Sequence, residues 1–286
     1  MKSLAARRRR DRIMVALMML AVALALVPLA LILADVIAKG IGQLSAGFLA
    51  KPEPFVVTAS GGGFGAGIRG TIKMVALGTL VSVPIGVLAA VYLSEYQPRG
   101  PLATTVRFFA DVMTGIPSIF VGIFVFTVVV LETHTFSTWA GGLALGILML
   151  PVIVRTSEEA LLLVPGTLRE ASLALGIRRW RTISSVIFPA ALPGITTGIL
   201  LAVARAAGET APLLLTAFGN QLLVGWGHWN GPEAALTLEI FTNSRSPFPA
   251  QQARAWTGAL VLIVGILILS LVARAVISRR SRLRRS

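Results

Sequence analysis

Apolar residues fall into six long segments separated by short polar connectors. The segments are Ile13–Ala34, Ile68–Tyr96, Thr104–Leu131, Trp139–Val164, Val186–Phe218 and Ala255–Ile277. A membrane-spanning helix needs about 20 predominantly apolar residues, so each segment is long enough to cross a bilayer with some tilt. The pattern therefore predicts an all-α integral membrane protein with six transmembrane helices.

The first apolar segment also resembles the start of a secreted protein, because a basic stretch precedes it. Its 22 residues carry no charge, whereas the apolar core of a signal peptide runs to only about 15 residues. We therefore expect a retained helix. The chain then divides into residues 1–60 (an N-terminal cytoplasmic tail, the first helix and an outer connector), residues 61–280 (the main transmembrane domain) and a basic tail at residues 281–286.

The basic residues predict which side of the membrane the chain ends face. The net charge is +14, and twelve of the 26 basic residues form two terminal clusters. These are Lys2, Arg7, Arg8, Arg9, Arg10 and Arg12 at the start, and Arg274, Arg279, Arg280, Arg282, Arg284 and Arg285 at the end. Lys and Arg beside membrane helices favour cytoplasmic, lipid-contacting positions, so both termini are predicted to be cytoplasmic. The alternative, a nucleic-acid partner, lacks an aromatic-basic surface to support it.

Composition supports a membrane protein and argues against several chemistries. The chain is 55% hydrophobic and 13% charged, against about 25% charged in a typical soluble domain. The glycine-rich stretch Gly61–Gly67 lacks the Lys-Ser/Thr pair of a P-loop, so we expect this chain itself to hydrolyse no ATP and to bind no cofactor. There is no cysteine, and His134 and His228 are isolated between apolar segments. No metal site is predicted.

Charged residues interrupt the fourth and fifth apolar segments. Arg155, Glu158 and Glu159 lie in the fourth, and Arg205 lies near the middle of the fifth, four residues before Glu209. A charge at mid-bilayer costs about 2.5–3.5 kcal/mol on insertion scales, so such residues are functional candidates. Spacings of three and four place each arginine beside a carboxylate on one helix face. Two interpretations remain open: structural ion bridges, or a pathway for an oxyanion, which suits the paired donors of arginine.

The connector between the fourth and fifth segments, residues 163–189, is predicted to form a short amphipathic helix that turns back toward the membrane. From the residues alone, such a helix either rests on anionic lipid or fits a groove on a partner protein. Its residues Glu170, Ala171, Ser172, Gly176 and Pro189 have the spacing of the EAA loop of ABC importer permeases, with Ser172 in place of alanine. The chain therefore resembles that family.

This resemblance implies a type I ABC importer permease (MetI-like) bundle. It also implies that the EAA loop is a cytoplasmic coupling helix that docks on a separate ATPase, and that ATP and Mg are bound by that ATPase. The permease itself would be a non-catalytic subunit.

A second resemblance concerns the transported anion. The segment from Arg205 to Leu214 resembles the RxxGETAPLL segment of the phosphate permease families PstA and PstC, and Ala90–Tyr96, Gly115–Ser118, Leu150–Ala160 and Ser246–Phe248 resemble PstA more closely. This resemblance implies import of inorganic phosphate across a bacterial inner membrane. It implies a translocation path that includes Arg155, Glu158, Arg205 and Glu209. The implied partners are a PstC-like permease subunit, a PstB-like ATPase dimer and a PstS-like phosphate-binding protein.

Three alternative functions agree less well with the sequence. A permease for sulfate or molybdate would leave the GETAPLL segment unexplained. A secondary anion transporter that needs no ATPase has no use for an EAA loop. A membrane-embedded hydrolase would need a catalytic set of Ser, His and Asp or a metal cluster within the helices, and the sequence offers neither.

Overall fold

The computed structural model describes residues 4–283 except residues 57, 60, 221, 223 and 224. Side chains are described for residues 8–275 with the same gaps. Lys2 and half of the predicted basic tail, including Arg284 and Arg285, therefore lie outside the described residues, as do the side chains of Arg7, Arg279, Arg280 and Arg282.

The described residues form thirteen α-helices. They are α1 (Leu4–Gly40), α2 (Ala46–Ala50), α3 (Gly65–Val91), α4 (Pro101–Gly115), α5 (Ser118–Val125), α6 (Leu131–Thr133), α7 (Thr138–Leu162), α8 (Gly166–Ala174), α9 (Arg179–Thr182), α10 (Phe188–Ala207), α11 (Ala211–Thr216), α12 (Leu236–Ser244) and α13 (Pro249–Leu283). Short π-helical turns at Tyr92–Tyr96, Phe126–Val130 and Ile183–Ile187 extend α3, join α5 to α6 and join α9 to α10.

Five of the predicted spans are continuous helical stretches within the described residues. They are Arg8–Gln43, Gly65–Tyr96, Thr138–Leu162, Arg179–Ala207 and Pro249–Ala275, each long and apolar enough to cross a membrane. A sixth span is present if a bent helix pair is counted as one. The prediction of an all-α, multi-pass membrane protein is confirmed, and the structure is compatible with six spans.

The third predicted span is the bent pair, which corrects the expectation of one uninterrupted segment at Thr104–Leu131. The stretches Pro101–Gly115 and Ser118–Thr133 meet at an angle of 106°. The break falls at Ile116 and Pro117, whose ψ angles of 132° and 135° are extended rather than helical. Proline disfavours the helical conformation of the residue before it and has no N–H to continue the hydrogen-bond ladder.

The centre of the bundle is the α3–α7 pair, with α10 packed against α7. A Cβ atom on Gly78 of α3 would lie 3.0 Å from the carbonyl oxygen of Gly142 and 3.0 Å from the backbone nitrogen of Gly146, both in α7. Small residues allow such close backbone contact between membrane helices. Beside this contact, Met74, Leu145, Met149, Ala202 and Ala206 belong to the main buried cluster.

Helix α1 lies at the edge of the bundle. Its apolar side chains are exposed along most of its length, and its C-terminal end packs on α13, where the Thr257 hydroxyl donates to the Gly40 carbonyl oxygen at 2.8 Å. An apolar helix with an exposed surface is stable in lipid and unstable in water. Phe48 of α2 packs with Phe64 and Leu236 in a small buried cluster. This contact joins residues on the two sides of the domain boundary predicted at residue 60. The boundary itself stays a prediction.

Candidate functional site

Arg155 is held by a carboxylate from a different helix. Its Nε donates to Asp111 Oδ1 at 2.8 Å, and its Nη2 donates to Asp111 Oδ1 at 2.5 Å and Oδ2 at 2.6 Å. Asp111 belongs to α4, whereas Arg155 belongs to α7. Glu158, the partner expected from sequence, lies farther away, with Oε2 3.5 Å from Arg155 Nη1. The guanidinium of Arg155 is therefore engaged on both its Nε and Nη2 donors.

Glu158 in turn pairs with a second arginine of α4. Arg107 Nε donates to Glu158 Oε1 at 2.7 Å, and Arg107 Nη1 and Nη2 donate to the carbonyl oxygens of Pro98 and Leu93. The Glu158 side chain is only 4% exposed, and burying a carboxylate is costly unless a hydrogen-bonded partner such as Arg107 compensates. We call Arg107, Asp111, Arg155 and Glu158 the four-charge network; its two positive and two negative groups alternate and join α4 to α7. Glu159 points away and is exposed.

Arg205 is in a different situation. Its side chain is 48% exposed, and Glu209 Oε1 lies 3.6 Å from its Nε, a distance too long for a hydrogen bond. The Glu209 side chain is 16% exposed. Arg205 thus has a carboxylate nearby, but its guanidinium donors are available to an external anion.

The position of Arg205 corrects a prediction. It lies in the last turn of α10, which ends at Ala207, rather than near the middle of a span reaching Phe218. The helix ends at the cap residue Gly208. Pro212, in the first turn of α11, could not continue it, because proline has no N–H to bond the Gly208 carbonyl oxygen and its ring clashes with that carbonyl. A cation in the last turn is stabilised by the negative end of the helix dipole. Glu209 follows the helix end, so the pair does not share one helix face.

Arg155 and Arg205 lie at different depths in the bundle. Helices α7 and α10 are antiparallel, because the Cβ positions of Gly194 and Gly198 meet Ala160 and Thr156 in that order. Extending this register puts Met149 of α7 level with Arg205, and Met149 does share a buried cluster with Ala202 and Ala206. Arg155 is six residues from Met149, which is about 9 Å along a helix axis. The structure therefore separates the two predicted path arginines into two locations.

The predicted amphipathic helix of the EAA loop is present as α8, followed by a sharp turn. Glu170 and Ala171 are exposed, and Gly176 has a φ angle of +75°, the left-handed region that favours glycine. Leu168, Leu173, Leu175 and Trp180 are exposed apolar side chains of the same loop. Pro189 lies in the first turn of α10, where its missing N–H is tolerated.

Glu95, which sequence reasoning did not identify, attaches the loop to the π-helical turn that extends α3. Arg169 of α8 donates through Nη2 to Glu95 Oε1 at 2.6 Å and to the Leu161 carbonyl oxygen at 2.8 Å. Arg179 donates to the backbone carbonyl oxygen of Glu95. These contacts hold both α8 and α9 to the turn that extends α3.

Ser172, the departure from the EAA pattern, has a structural explanation. Its buried hydroxyl lies 2.8 Å from the Thr182 hydroxyl, so the two side chains share a hydrogen bond between α8 and α9. An alanine at position 172 would leave the buried Thr182 hydroxyl without this partner.

Sequence reasoning also missed Arg107 and Asp111. Both lie inside the predicted third span, as Glu95 lies inside the second. A charge inside an apolar segment is the signal that singled out Arg155 and Arg205, and applied evenly it would have found these three residues as well.

Comparison with known proteins defines the class first. Residues 82–282 match the family model of binding-protein-dependent transport system inner membrane components. The fold agrees: a solved structure of the MetNI methionine ABC transporter in an inward-facing conformation superimposes with a TM-score of 0.56 at 22% identity, over 76% of this chain and 95% of that one. The protein is a multi-pass permease component of the inner membrane, with a MetI-like fold.

Closer relatives define the family. The chain is 41% identical over 280 residues to the phosphate transport system permease protein PstA of Yersinia pestis, covering 98% of this chain and 94% of the relative. It is 41% identical over 268 residues to PstA of Haemophilus influenzae, covering 94% of each. It is also 42% identical to PstA 1 of Mycobacterium tuberculosis, over 81% of this chain and 74% of the relative. The chain belongs to the PstA family, and the resemblance noted in its sequence is confirmed.

Proposed function

We propose that this chain is the permease subunit of an ATP-driven importer of inorganic phosphate and forms half of its translocation path. The observation that carries the proposal is the identity of about two residues in five, over nearly the whole chain, to proteins named as phosphate transport permeases. An arginine with free donors, Arg205, adds chemical support because a phosphate oxyanion needs cationic donors to leave water.

The path is proposed to use the two arginines in succession. Arg205 lies about 9 Å farther from the α8 end of the bundle than Arg155, taking 1.5 Å per helical residue. With α8 on the cytoplasmic side, an incoming anion meets Arg205 first and Arg155 second. Glu209 and Glu158 lie beside the two arginines and limit how tightly each binds the anion, which supports release as well as entry.

The transporter is proposed to contain three kinds of partner protein. The surface proposed to dock on a PstB-like ATPase dimer, which binds ATP and Mg, is made of the exposed apolar side chains of α8, α9 and the turn between them. These are Leu168, Leu173, Leu175 and Trp180. A PstC-like permease supplies the other half of the path, and a PstS-like protein delivers phosphate from outside. Closure of the ATPase pair moves α8 and alternates access to the path. This chain contributes no catalytic group to ATP hydrolysis.

Both termini are proposed to face the cytoplasm. With six crossings the two ends lie on one side, and the basic terminal clusters favour the inner side. The connector near Thr135 is then outside. Reporter fusions at residue 135 and at the C-terminus are expected to report opposite compartments; the same compartment for both would contradict this topology.

The transport claim is tested on the complete complex in proteoliposomes. Radiolabelled phosphate uptake is expected to depend on ATP and on the binding protein, and excess sulfate or molybdate is expected not to compete. Uptake of sulfate or molybdate in place of phosphate would overturn the substrate assignment. Phosphate uptake that persists with an ATPase subunit unable to hydrolyse ATP would overturn the energy source and favour a secondary transporter.

A further inference from the structure

The Asp111–Arg155 pair has a geometry that a purely structural bridge does not require. Both Asp111 oxygens accept hydrogen bonds from Arg155, at 2.5–2.8 Å, along the Nε–Nη2 edge of the guanidinium. This is the side-on arrangement by which arginine binds carboxylates and phosphates alike. The carboxylate of Asp111 therefore occupies the donors that a phosphate ion would use.

The two halves of the four-charge network differ in access. Glu158 is 4% exposed and is anchored by Arg107. Arg155 and Asp111 are 35% and 56% exposed. A buried pair is held in place, whereas an accessible pair can be approached by another ion. An anion that reaches this level of the bundle can thus meet the Arg155 donors and compete with Asp111 for them.

Asp111 and Arg155 also lie on different helices. Asp111 is on α4, the first arm of the 106° bent pair, and Arg155 is on the central helix α7. If the exposed Asp111 side chain turns away, α4 stays joined to α7 through Arg107 and Glu158, and Glu158 keeps its contact with Arg155 at 3.5 Å. The arginine then remains oriented with its Nε–Nη2 edge open.

We propose that Asp111 competes with the transported anion for Arg155. An arriving phosphate displaces the Asp111 carboxylate from Arg155, and the return of the carboxylate releases the phosphate. This proposal rests on the proposed phosphate transport. It makes Asp111 a residue that sets the affinity of the inner half of the path. Removing the charge of Asp111 should tighten anion binding, because Arg155 loses its competing partner. Release of the anion should then slow, since a path conducts only where the ion is bound weakly enough to leave.

The test uses the permease–ATPase complex without the binding protein, so that phosphate binding reports on the path itself. In equilibrium dialysis with radiolabelled phosphate, Asp111→Asn is expected to raise affinity about fivefold, the scale of one accessible ion pair. In proteoliposomes with the binding protein, the maximal uptake rate of Asp111→Asn should fall. Asp35→Asn, which removes an exposed carboxylate paired with Lys39 on α1, is the matched control and should change neither value.

A charge-swapped double variant, Asp111→Arg with Arg155→Asp, separates competition from a structural role. The swap retains an ion pair between α4 and α7 but moves the cation, so assembly should be normal and uptake lost. Recovery of uptake in the swap, or unchanged phosphate affinity and rate in Asp111→Asn, would overturn the proposal. Failure of the proposed function would look different: the unmodified complex would take up another anion, or none.

Discussion

The two arginines that sequence analysis placed in one path differ in almost every structural respect. Arg155 has two ionic partners, one of them on another helix, and lies in a network whose charges cancel. Arg205 has one partner at 3.6 Å, lies at a helix end and has half its side chain exposed. The comparison teaches that an intramembrane arginine is not by itself an open anion site. Its availability depends on the carboxylates that the fold brings to it.

The largest effect is expected at the open arginine. Arg205→Ala should lower phosphate uptake at least about 100-fold, because it removes the cation that offsets the cost of dehydrating an anion, on the order of 3 kcal/mol for a charge in the membrane. Assembly should be intact, since Arg205 makes only one long contact. Uptake assays and co-purification measure the two outcomes. Arg245→Ala, an exposed arginine at the end of α12, is the control; normal uptake by Arg205→Ala would remove Arg205 from the path.

Substitution in the four-charge network should instead lower the stability of the folded protein. Arg107→Ala leaves Glu158 buried with only a long contact to Arg155, and an incompletely paired buried charge costs roughly 3 kcal/mol. We expect a lower midpoint of thermal unfolding in detergent. Arg99→Ala, an exposed arginine just before α4, should leave the midpoint unchanged. Equal midpoints for the two variants would mean that the four-charge network does not stabilise the α4–α7 contact.

A smaller effect is expected at the turn after α8. Gly176→Val should cost about 1–3 kcal/mol locally, because a β-branched residue is strained at a φ angle of +75° although no neighbour crowds the position. Gly176→Asn should be tolerated, since asparagine adopts this conformation more readily. Gly166→Val, equally uncrowded but at an ordinary φ, is the control. ATPase binding measured by pull-down should fall only for Gly176→Val; a parallel loss for Gly166→Val would point to side-chain contacts instead of backbone strain.

The smallest effect concerns a buried carboxylate without the kind of partner that Glu158 has. Burial in α12, together with the negative charge of Glu53, raises the pKa of Glu239 well above its ordinary value. The folded state then holds a proton that the unfolded state releases, so this residue lowers stability as pH rises from the ordinary glutamate range through the raised pKa. Glu239→Gln should make the unfolding midpoint higher at neutral pH and less dependent on pH. The exposed Glu132→Gln is the control, and identical pH profiles for the two variants would contradict the assignment.

Much of the fold followed from the sequence because it depends on local properties. The length of each apolar segment fixed the spans, and the spacing from Glu170 to Pro189 located α8 and the turn at Gly176. The breaks at Pro117 and Gly208 were missed, since proline inside a membrane helix is compatible with either a continuous or a broken span and tertiary packing decides between them. The four-charge network was only half predicted. Arg155 and Glu158 are neighbours along one helix, whereas Arg107 and Asp111 reach them from α4, a contact that no spacing rule encodes.

The close contact of Gly78 with Gly142 and Gly146 has a mechanical consequence. Two backbones that touch without intervening side chains have little freedom to slide or rotate past one another, so α3 and α7 should move as one rigid body. Glu95, in the turn after α3, accepts a hydrogen bond from Arg169 of α8, and Arg155 belongs to α7. A displacement of α8 is therefore transmitted to Arg155 through the rigid α3–α7 pair.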